Sequence, residues 1–167
     1  NKKLRIQAIA NVIEDTAVNL LRLAVIKLPQ DVKEALQNAY REETSKAGRV
    51  QLEVILKNIE LAEKENAPLC QDTGTITYYV KAGAQAEGLD KIESILRSAT
   101  KKATREIPLR PNAVDPFTQK NTGNNTGRFI PYINWEITSG DAIEITVFPK
   151  GGGSENMCQL GMITPGE

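Results

Sequence analysis

The sequence predicts an α+β fold in which a helical N-terminal half is followed by an antiparallel β-sheet with a crossing helix. Apolar residues recur at helical spacing up to Glu65, whereas strict alternation of apolar and polar residues begins only after Pro68. One further helical pattern separates two alternating segments in the second half. A chain of 167 residues is the size of one domain. We therefore expect a single domain, helical over residues 1–66 and α+β over residues 67–167.

Three helices are predicted in the N-terminal half. The first covers residues 5–27 and ends before Pro29, because proline cannot continue a helix. The second covers about residues 30–43. Ser45 is a candidate N-cap for the third helix, which extends to Glu65. The regular apolar faces of these helices are interpreted as a core-forming scaffold or as a subunit interface.

The C-terminal half is predicted to contain three strands and one helix. Period-2 alternation indicates a half-buried strand over residues 75–80, and helical spacing indicates the crossing helix over residues 89–106. A second alternating segment, residues 133–137, is followed by a turn at residues 139–141 and a third segment, residues 143–147. This arrangement predicts a β-hairpin.

The composition excludes several functional classes. Lys plus Arg and Asp plus Glu both number 21, so the net charge of zero argues against a nucleic-acid-binding surface. No apolar run approaches the roughly 18 residues needed to span a bilayer. The two cysteines and the lack of a secretory signal favour the cytoplasm. The absence of histidine excludes Ser-His-Asp and Cys-His catalysis and His-ligated metals within this chain.

A polar loop at residues 68–74 contains the first candidate site residue, Cys70. Two interpretations are open, because a lone cysteine is commonly a small buried side chain and less commonly a metal ligand. Its neighbours Gln71, Asp72 and Thr73 are polar groups unsuited to a sealed core. Loops between rigid elements often present binding and catalytic groups.

A thiolate in a histidine-free chain suits an iron–sulfur cluster, since thiolates are the usual ligands of such clusters. Cys158 is a possible second ligand. Its neighbour Met157 indicates a core-facing stretch, so the favoured interpretation of Cys158 is a free thiol.

Two further loops carry candidate binding groups. Glycines 151–153 follow the last strand and precede Ser154. Two interpretations are open: the glycines let the backbone approach a ligand closely, or they form a tight connection from strand to helix. The preceding Lys150 is on the wrong side of the glycines for a Walker A loop. Arg110, between two prolines, offers a planar fork for a carboxylate or forms a surface ion pair. Together these residues suggest a small-carboxylate site, with no reaction specified.

The sequence resembles the iron–sulfur hydro-lyases of the class I fumarase and L(+)-tartrate dehydratase family, in particular the alpha subunit of the two-subunit forms. The resemblance extends over nearly the whole chain and includes the loop at residues 121–126. Three segments match family motifs in family order: Pro68-Leu69-Cys70-Gln71-Asp72-Thr73-Gly74, Leu109-Arg110-Pro111-Asn112 and Lys150-Gly151-Gly152-Gly153-Ser154-Glu155-Asn156.

The resemblance implies a [4Fe–4S] cluster held by three cysteines, with Cys70 as the first ligand. It further implies that Gln71 and Asp72 contact the substrate and that Asp72 handles the proton on the departing or attacking hydroxyl. Arg110 would pair with a substrate carboxylate, and Gly153 would let the backbone approach the substrate or the cluster.

The resemblance also implies that the other two cluster cysteines lie beyond Glu167. The chain is therefore expected to be a fragment of an alpha subunit, with an absent or incomplete cluster and no activity alone. The expected partner is a beta subunit in an α/β heteromer, and the expected substrate is a four-carbon dicarboxylate. The reaction would interconvert (S)-malate and fumarate, or alternatively convert L(+)-tartrate to oxaloacetate. An alternative of another class is a non-catalytic dicarboxylate-binding or assembly module without a cluster.

Overall fold

A computed structural model describes residues 2–166 and shows helices packed on one small sheet. The elements in chain order are α1 (Lys2–Ile26), α2 (Gln30–Glu42), α3 (Lys46–Glu65), β1 (Thr75–Gly83), α4 (Ile92–Glu106), β2 (Tyr132–Thr138), β3 (Ile143–Lys150) and α5 (Gly152–Met157). A short 3-10 turn at Leu89–Lys91 leads into α4. The predicted α+β class is confirmed.

The three N-terminal helices lie close to their predicted limits. Pro29 separates α1 from α2, as expected from its effect on a helix. The predicted N-cap of α3 is confirmed, because the Ser45 hydroxyl accepts a hydrogen bond from the amide of Gly48 at 3.3 Å. Among residues 2–166, no helix combines the length and the apolarity needed to cross a membrane.

The sheet is mixed, so the prediction of an antiparallel sheet was wrong. Its strand order is β2-β1-β3, with β1 parallel to β2 and antiparallel to β3. The predicted hairpin does not form, since β1 lies between its two strands. Alternation indicates that β2 and β3 are strands, but it does not indicate which strand each one pairs with. The prediction of a crossing helix is confirmed, because α4 connects the parallel strands β1 and β2.

A short connection over the end of β1 allows this strand order. The amide of Gln85 donates to the carbonyl of Gly140 at 2.9 Å, and the amide of Gly83 donates to the carbonyl of Ala142 at 2.8 Å. A Cβ at Gly83 would collide with the carbonyl of Gly140. Because glycine has no Cβ, the chain can pass from β2 to β3 across Gly83, the last residue of β1.

The core lies between one face of the sheet and the helices α1 and α4. The fully buried hydroxyl of Tyr78 hydrogen-bonds with that of Thr100 at 3.0 Å, linking the central strand to α4. Burial raises the pKa of Tyr78 to about 12. The core includes Ala17, Val18, Leu21 and Val25 from α1, Ile76, Val80 and Ala82 from β1, and Ile92, Leu96, Ala99 and Ala103 from α4.

The helices α2 and α3 form a pair beside this core. No residue of α2 is buried, whereas α3 buries Ile59 and Ala62. The side-chain amide of Asn58 on α3 donates to the carbonyl of Leu69 at 2.9 Å, and the amide of Leu69 donates to the carbonyl of Val25 at 3.0 Å. The segment that precedes β1 is thus held between α1 and α3.

Candidate functional site

Two of the predicted loops meet where β1 begins and β3 ends. Thr75 pairs with Lys150 in the antiparallel register, so the end of the loop at residues 68–74 lies beside the start of the glycine segment at residues 150–153. Gly74 has a φ of +85°, and a Cβ there would lie 2.7 Å from backbone atoms of Lys150. Because a side chain would not fit, glycine permits this close approach.

The carboxylate of Asp72 joins three segments of the chain. Its Oδ1 accepts hydrogen bonds from the amide of Gly74 at 3.0 Å and from Nδ2 of Asn112 at 3.1 Å. Its Oδ2 accepts from the amide of Gly152 at 2.6 Å. We call this arrangement the Asp72 joint, meaning the Asp72 carboxylate with its donors Gly74, Asn112 and Gly152. All three predicted motifs contribute to it.

Arg110 lies next to the loop that contains Gln71. Its backbone amide donates to the buried Oγ1 of Thr73 at 3.0 Å, and its Nη1 lies 3.4 Å from the carbonyl oxygen of Gln71. None of the ion pairs formed within the described part of the chain includes Arg110. The structure therefore does not support the alternative of a surface ion pair, and the exposed guanidinium can bind an anion.

The segment that carries Arg110 and Asn112 is held by Asn125, which is 2% exposed. Oδ1 of Asn125 accepts from the amide of Asn112 at 2.7 Å, and its Nδ2 donates to the carbonyl of Arg110 at 2.8 Å. Nδ2 also donates to Oγ1 of Thr104 on α4 at 3.1 Å. The φ of Asn125 is +56°, a conformation that asparagine tolerates better than most residues. The site is in this way attached to the core helix.

Sequence reasoning missed Asn112 and Asn125 as individual residues. Asn112 belongs to one of the matched motifs and Asn125 to the matched loop at residues 121–126, but neither was assigned a role, because an asparagine in a loop has no sequence signal that shows which groups it contacts. A run such as Asn124-Asn125 is compatible with a left-handed residue, which was the one available indication.

The side chain of Cys70 is exposed, so the alternative of a small buried residue is wrong. Cys70 and Asp72 contribute to a shallow cleft of about 120 Å³, together with Val25, Thr73 and Pro149. A group of three or more metal-ligating side chains is not found among residues 2–166. Among the described residues, the exposed Cys70 thiol is of the chemical type that iron–sulfur clusters take as a ligand.

Cys158 is also exposed, and its favoured interpretation as a free thiol stays a prediction. The reason given for that interpretation was wrong, because Met157 is 84% exposed and does not face a core.

The glycines after β3 differ in their surroundings. Added Cβ atoms at Gly151 and Gly152 would lie 3.5 and 3.4 Å from Oδ2 of Asp72. An added Cβ at Gly153 would have no neighbouring atom of the described residues within 4 Å. The predicted change from strand to helix is confirmed by α5. Gly153 therefore borders open space beside the Asp72 joint, where a ligand can approach the backbone.

The site combines a guanidinium, an amide, a carboxylate and a thiol on a solvent-accessible surface. A guanidinium with polar donors suits a small molecule that carries carboxylates. The fixed carboxylate adds a group that can exchange a proton with such a ligand.

Several curated proteins are similar to this chain. A protein of Methanocaldococcus jannaschii, provisionally named L(+)-tartrate dehydratase subunit alpha, is 43% identical over 159 residues, covering 93% of this chain and 56% of the relative. L(+)-tartrate dehydratase subunit alpha of Escherichia coli UTI89 is 37% identical over 148 residues, and that of strain K12 is 36% identical. These matches cover 88% of this chain and 49% of each relative. The chain spans about half the length of the curated relatives it matches.

A family profile gives the broader relationship. The profile described as Fumarate hydratase (Fumerase) matches residues 14–167. This range includes all three loops that meet at the Asp72 joint. Because the match extends over nearly the whole chain, the chain belongs to the fumarate hydratase (Fumerase) family.

Proposed function

We propose that this chain is part of the alpha subunit of a hydro-lyase that adds water to, or removes water from, a four-carbon dicarboxylate. The first candidate reaction is the interconversion of fumarate and (S)-malate. In the hydration direction a hydroxyl bonds to one alkene carbon and a proton to its neighbour, and dehydration removes both. Membership of the fumarate hydratase family and the names of the relatives support a hydro-lyase.

The Asp72 joint is the observation that carries the proposal. Its carboxylate links the segments that contain Gln71, Arg110 and Gly153, which are far apart in sequence. A dicarboxylate with a hydroxyl needs separate groups for its two ends. The joint brings such groups to one end of the sheet.

In this proposal each residue contacts a different part of the substrate. Arg110 forms a paired hydrogen-bonded contact with one substrate carboxylate, which its planar fork suits. The Gln71 amide donates to substrate oxygen atoms. Gly153 borders the open space, where its backbone approaches the substrate closely.

Asp72 is the proposed catalytic residue and also contacts the substrate. An ionised carboxylate offers about four lone-pair positions, and three donors within the chain use three of them. The remaining position can hold the proton of the departing or attacking hydroxyl. Since the other bonds fix its orientation, the carboxylate needs little rearrangement to do so.

A [4Fe–4S] cluster is the proposed cofactor of the complete enzyme. Cys70 would hold it through one thiolate, and the other cysteine ligands would come from polypeptide outside these 167 residues. When bound, the cluster supplies an iron that acts as a Lewis acid toward the substrate hydroxyl. The chain alone would therefore hold an incomplete cluster site and be inactive.

The proposed partner is a beta subunit. The relatives are named alpha subunits, which favours an α/β heteromer for this chain as well. In this proposal the beta subunit adds further substrate contacts and the base that removes the carbon-bound proton. The groups on this chain then bind the carboxylates and the hydroxyl.

The second candidate substrate is L(+)-tartrate, which would lose water to give oxaloacetate. The names of the relatives favour this substrate. Malate and tartrate both present two carboxylates and a hydroxyl, so the same groups at the site suit either one.

The proposal is tested on the complete alpha subunit assembled with its partner and prepared without oxygen. Fumarate formation from (S)-malate and oxaloacetate formation from L(+)-tartrate are measured side by side, with iron and sulfide analysis of the same sample. We expect one of the two reactions to proceed with a stoichiometric cluster. Turnover of neither substrate would contradict the proposal, and dicarboxylate binding without a cluster would identify a non-catalytic module.

Three variants test the assigned roles. Cys70→Ser should abolish the cluster absorbance and the activity together, whereas Cys158→Ser, which alters the other exposed thiol, should change neither. Asp72→Asn should leave the cluster absorbance but remove turnover. Near-normal turnover of Asp72→Asn would show that its proposed role in proton transfer is wrong.

A further inference from the structure

Asn112 and the amide of Gly152 hold the carboxylate of Asp72 from two different loops. Nδ2 of Asn112 lies 3.1 Å from Oδ1, and the amide nitrogen of Gly152 lies 2.6 Å from Oδ2. The third donor, the amide of Gly74, belongs to the same loop as Asp72 and closes a local turn. Only the first two contacts connect one loop to another.

Each connected loop carries a group proposed to bind substrate. Gln71 precedes Asp72, Arg110 lies two residues before Asn112, and Gly153 follows Gly152. The bond from the Arg110 amide to Thr73 and the pairing of β1 with β3 also link these loops, and a shift of the Asp72 carboxylate would change the spacing of the three groups within those limits. Hydrogen bonds to a charged acceptor are among the stronger polar contacts, so they suit this role.

Asn112 is well fixed for this purpose. The backbone amide of Asn112 donates at 2.7 Å to Oδ1 of Asn125. The side chain of Asn125 is 2% exposed and also hydrogen-bonds to Thr104 on α4. The chain of contacts thus extends from the core helix through Asn125 and Asn112 to Asp72. Asp72 connects it in turn to the end of β3.

We propose that Asn112, together with the Gly152 amide, is the positioning group of the site. These two groups hold Asp72 and, through it, help to set the spacing of the loops that carry Gln71, Arg110 and Gly153. The proposal rests on the function proposed above for those residues. Asn112 does not itself act on the substrate in this account.

Exchanging the two side chains tests the proposal. Asn112→Asp places two carboxylates about 3 Å apart, where like charges repel. Asp72→Asn leaves one side-chain oxygen for the two donors Asn112 and Gly152. The NH2 group of the new side chain must then face one of these two donors, and that contact is lost. In the double variant Asp72→Asn/Asn112→Asp, the amide oxygen at position 72 can accept from Gly152 while the amide nitrogen donates to the carboxylate at position 112. Both contacts between loops then return, and only the local contact to Gly74 is lost.

The first measurement is of binding in the assembled enzyme, as the Kd of a non-reacting four-carbon dicarboxylate. Asn112→Asp should raise this Kd by about tenfold or more, in line with the loss of hydrogen bonds to a charged group. The double variant should have a Kd closer to that of the wild type than Asn112→Asp has, because such pairs in contact are not additive. It should not turn over substrate, since position 72 then lacks a carboxylate. Asn38→Asp, the same change at an exposed site on α2, is the control and should alter neither the Kd nor turnover.

The second measurement does not depend on activity. In the full chain labelled with [15N]glycine, the amide proton of Gly152 should resonate far downfield because it donates at 2.6 Å to a carboxylate. Both single variants should move this signal upfield, and the double variant should move it back. A double variant no closer to the wild type than the single variants, in Kd and in this signal, would overturn the proposal. If the wild type turned over neither substrate, the proposed function would fail while the amide signal would still decide the positioning role.

Discussion

The core and the loop end of the sheet are stabilised in different ways. The core packs apolar side chains of β1, α1 and α4 around the buried Tyr78. The loop end instead depends on hydrogen bonds from polar side chains, with the Asp72 carboxylate at their centre. Closely packed apolar side chains tolerate few changes of shape, whereas hydrogen-bonded loops depend on individual donors and acceptors. Substitutions should therefore affect stability in the first region and ligand binding in the second.

The largest effect on stability is expected in the core. Leu96→Ala should lower the free energy of unfolding by about 2–5 kcal/mol, because Leu96 is fully buried and its removal leaves a cavity. Chemical denaturation with the full chain measures this change. A loss below about 1 kcal/mol would mean that α4 is not packed against the sheet as described.

The next largest effect is expected at the loop end and concerns binding. Arg110→Lys should raise KM for the dicarboxylate by about tenfold or more, because lysine keeps the charge but lacks the planar fork. Its free energy of unfolding should change by no more than about 0.5 kcal/mol. Arg105→Lys, at an exposed position on α4, is the control for both measurements. Equal KM values for Arg110→Lys and the wild type would remove Arg110 from the binding site.

A smaller effect on stability is expected from the polar contact inside the core. Tyr78→Phe removes the hydrogen bond to Thr100 and should cost about 0.5–1.5 kcal/mol. Thr100 still donates to the carbonyl of Leu96 at 2.9 Å, which limits the loss. Thermal or chemical unfolding measures the difference, and an unchanged KM would confirm that the two regions are independent.

Tyr78 also predicts a dependence of stability on alkaline pH. Its pKa is about 12 in the folded chain, above the ordinary value of 10.0, because burial disfavours the charged form. The unfolded chain therefore loses this proton first as the pH rises. The contribution of Tyr78 is complete below pH 10 and is lost as the pH rises through about 12. Denaturation between these values should show a shallower decline for Tyr78→Phe than for the wild type, and identical slopes would contradict this assignment.

Local sequence patterns were sufficient for most of the fold. Helical spacing gave α1 to α4, and Ser45 marked the start of α3 correctly. The pairing of strands was not predictable in the same way, because it depends on the passage of the chain over Gly83, which alternation does not record. A pattern of period 2 defines the two faces of a strand and leaves its neighbours undetermined.

The site was predictable in part. The motifs identified the loops, and the structure places them together at one end of the sheet. The exposure of Cys70 was left open, although its polar neighbours favoured it, and the role of Asn125 was not predicted. The sequence pattern of a polar loop residue is the same whether the residue faces water or a buried partner. Burial and hydrogen-bond partners arise from contacts between residues distant in sequence.

Hydrogen exchange in the two regions tests the central claim most directly. Peptides that contain the amides of Gly74 and Gly152 should exchange faster in Asp72→Ala than in the wild type, because both amides donate to the Asp72 carboxylate. Peptides from residues 76–82 and 92–106 should exchange at unchanged rates. Faster exchange throughout both regions, or unchanged exchange at Gly152, would contradict a loop end held together by Asp72.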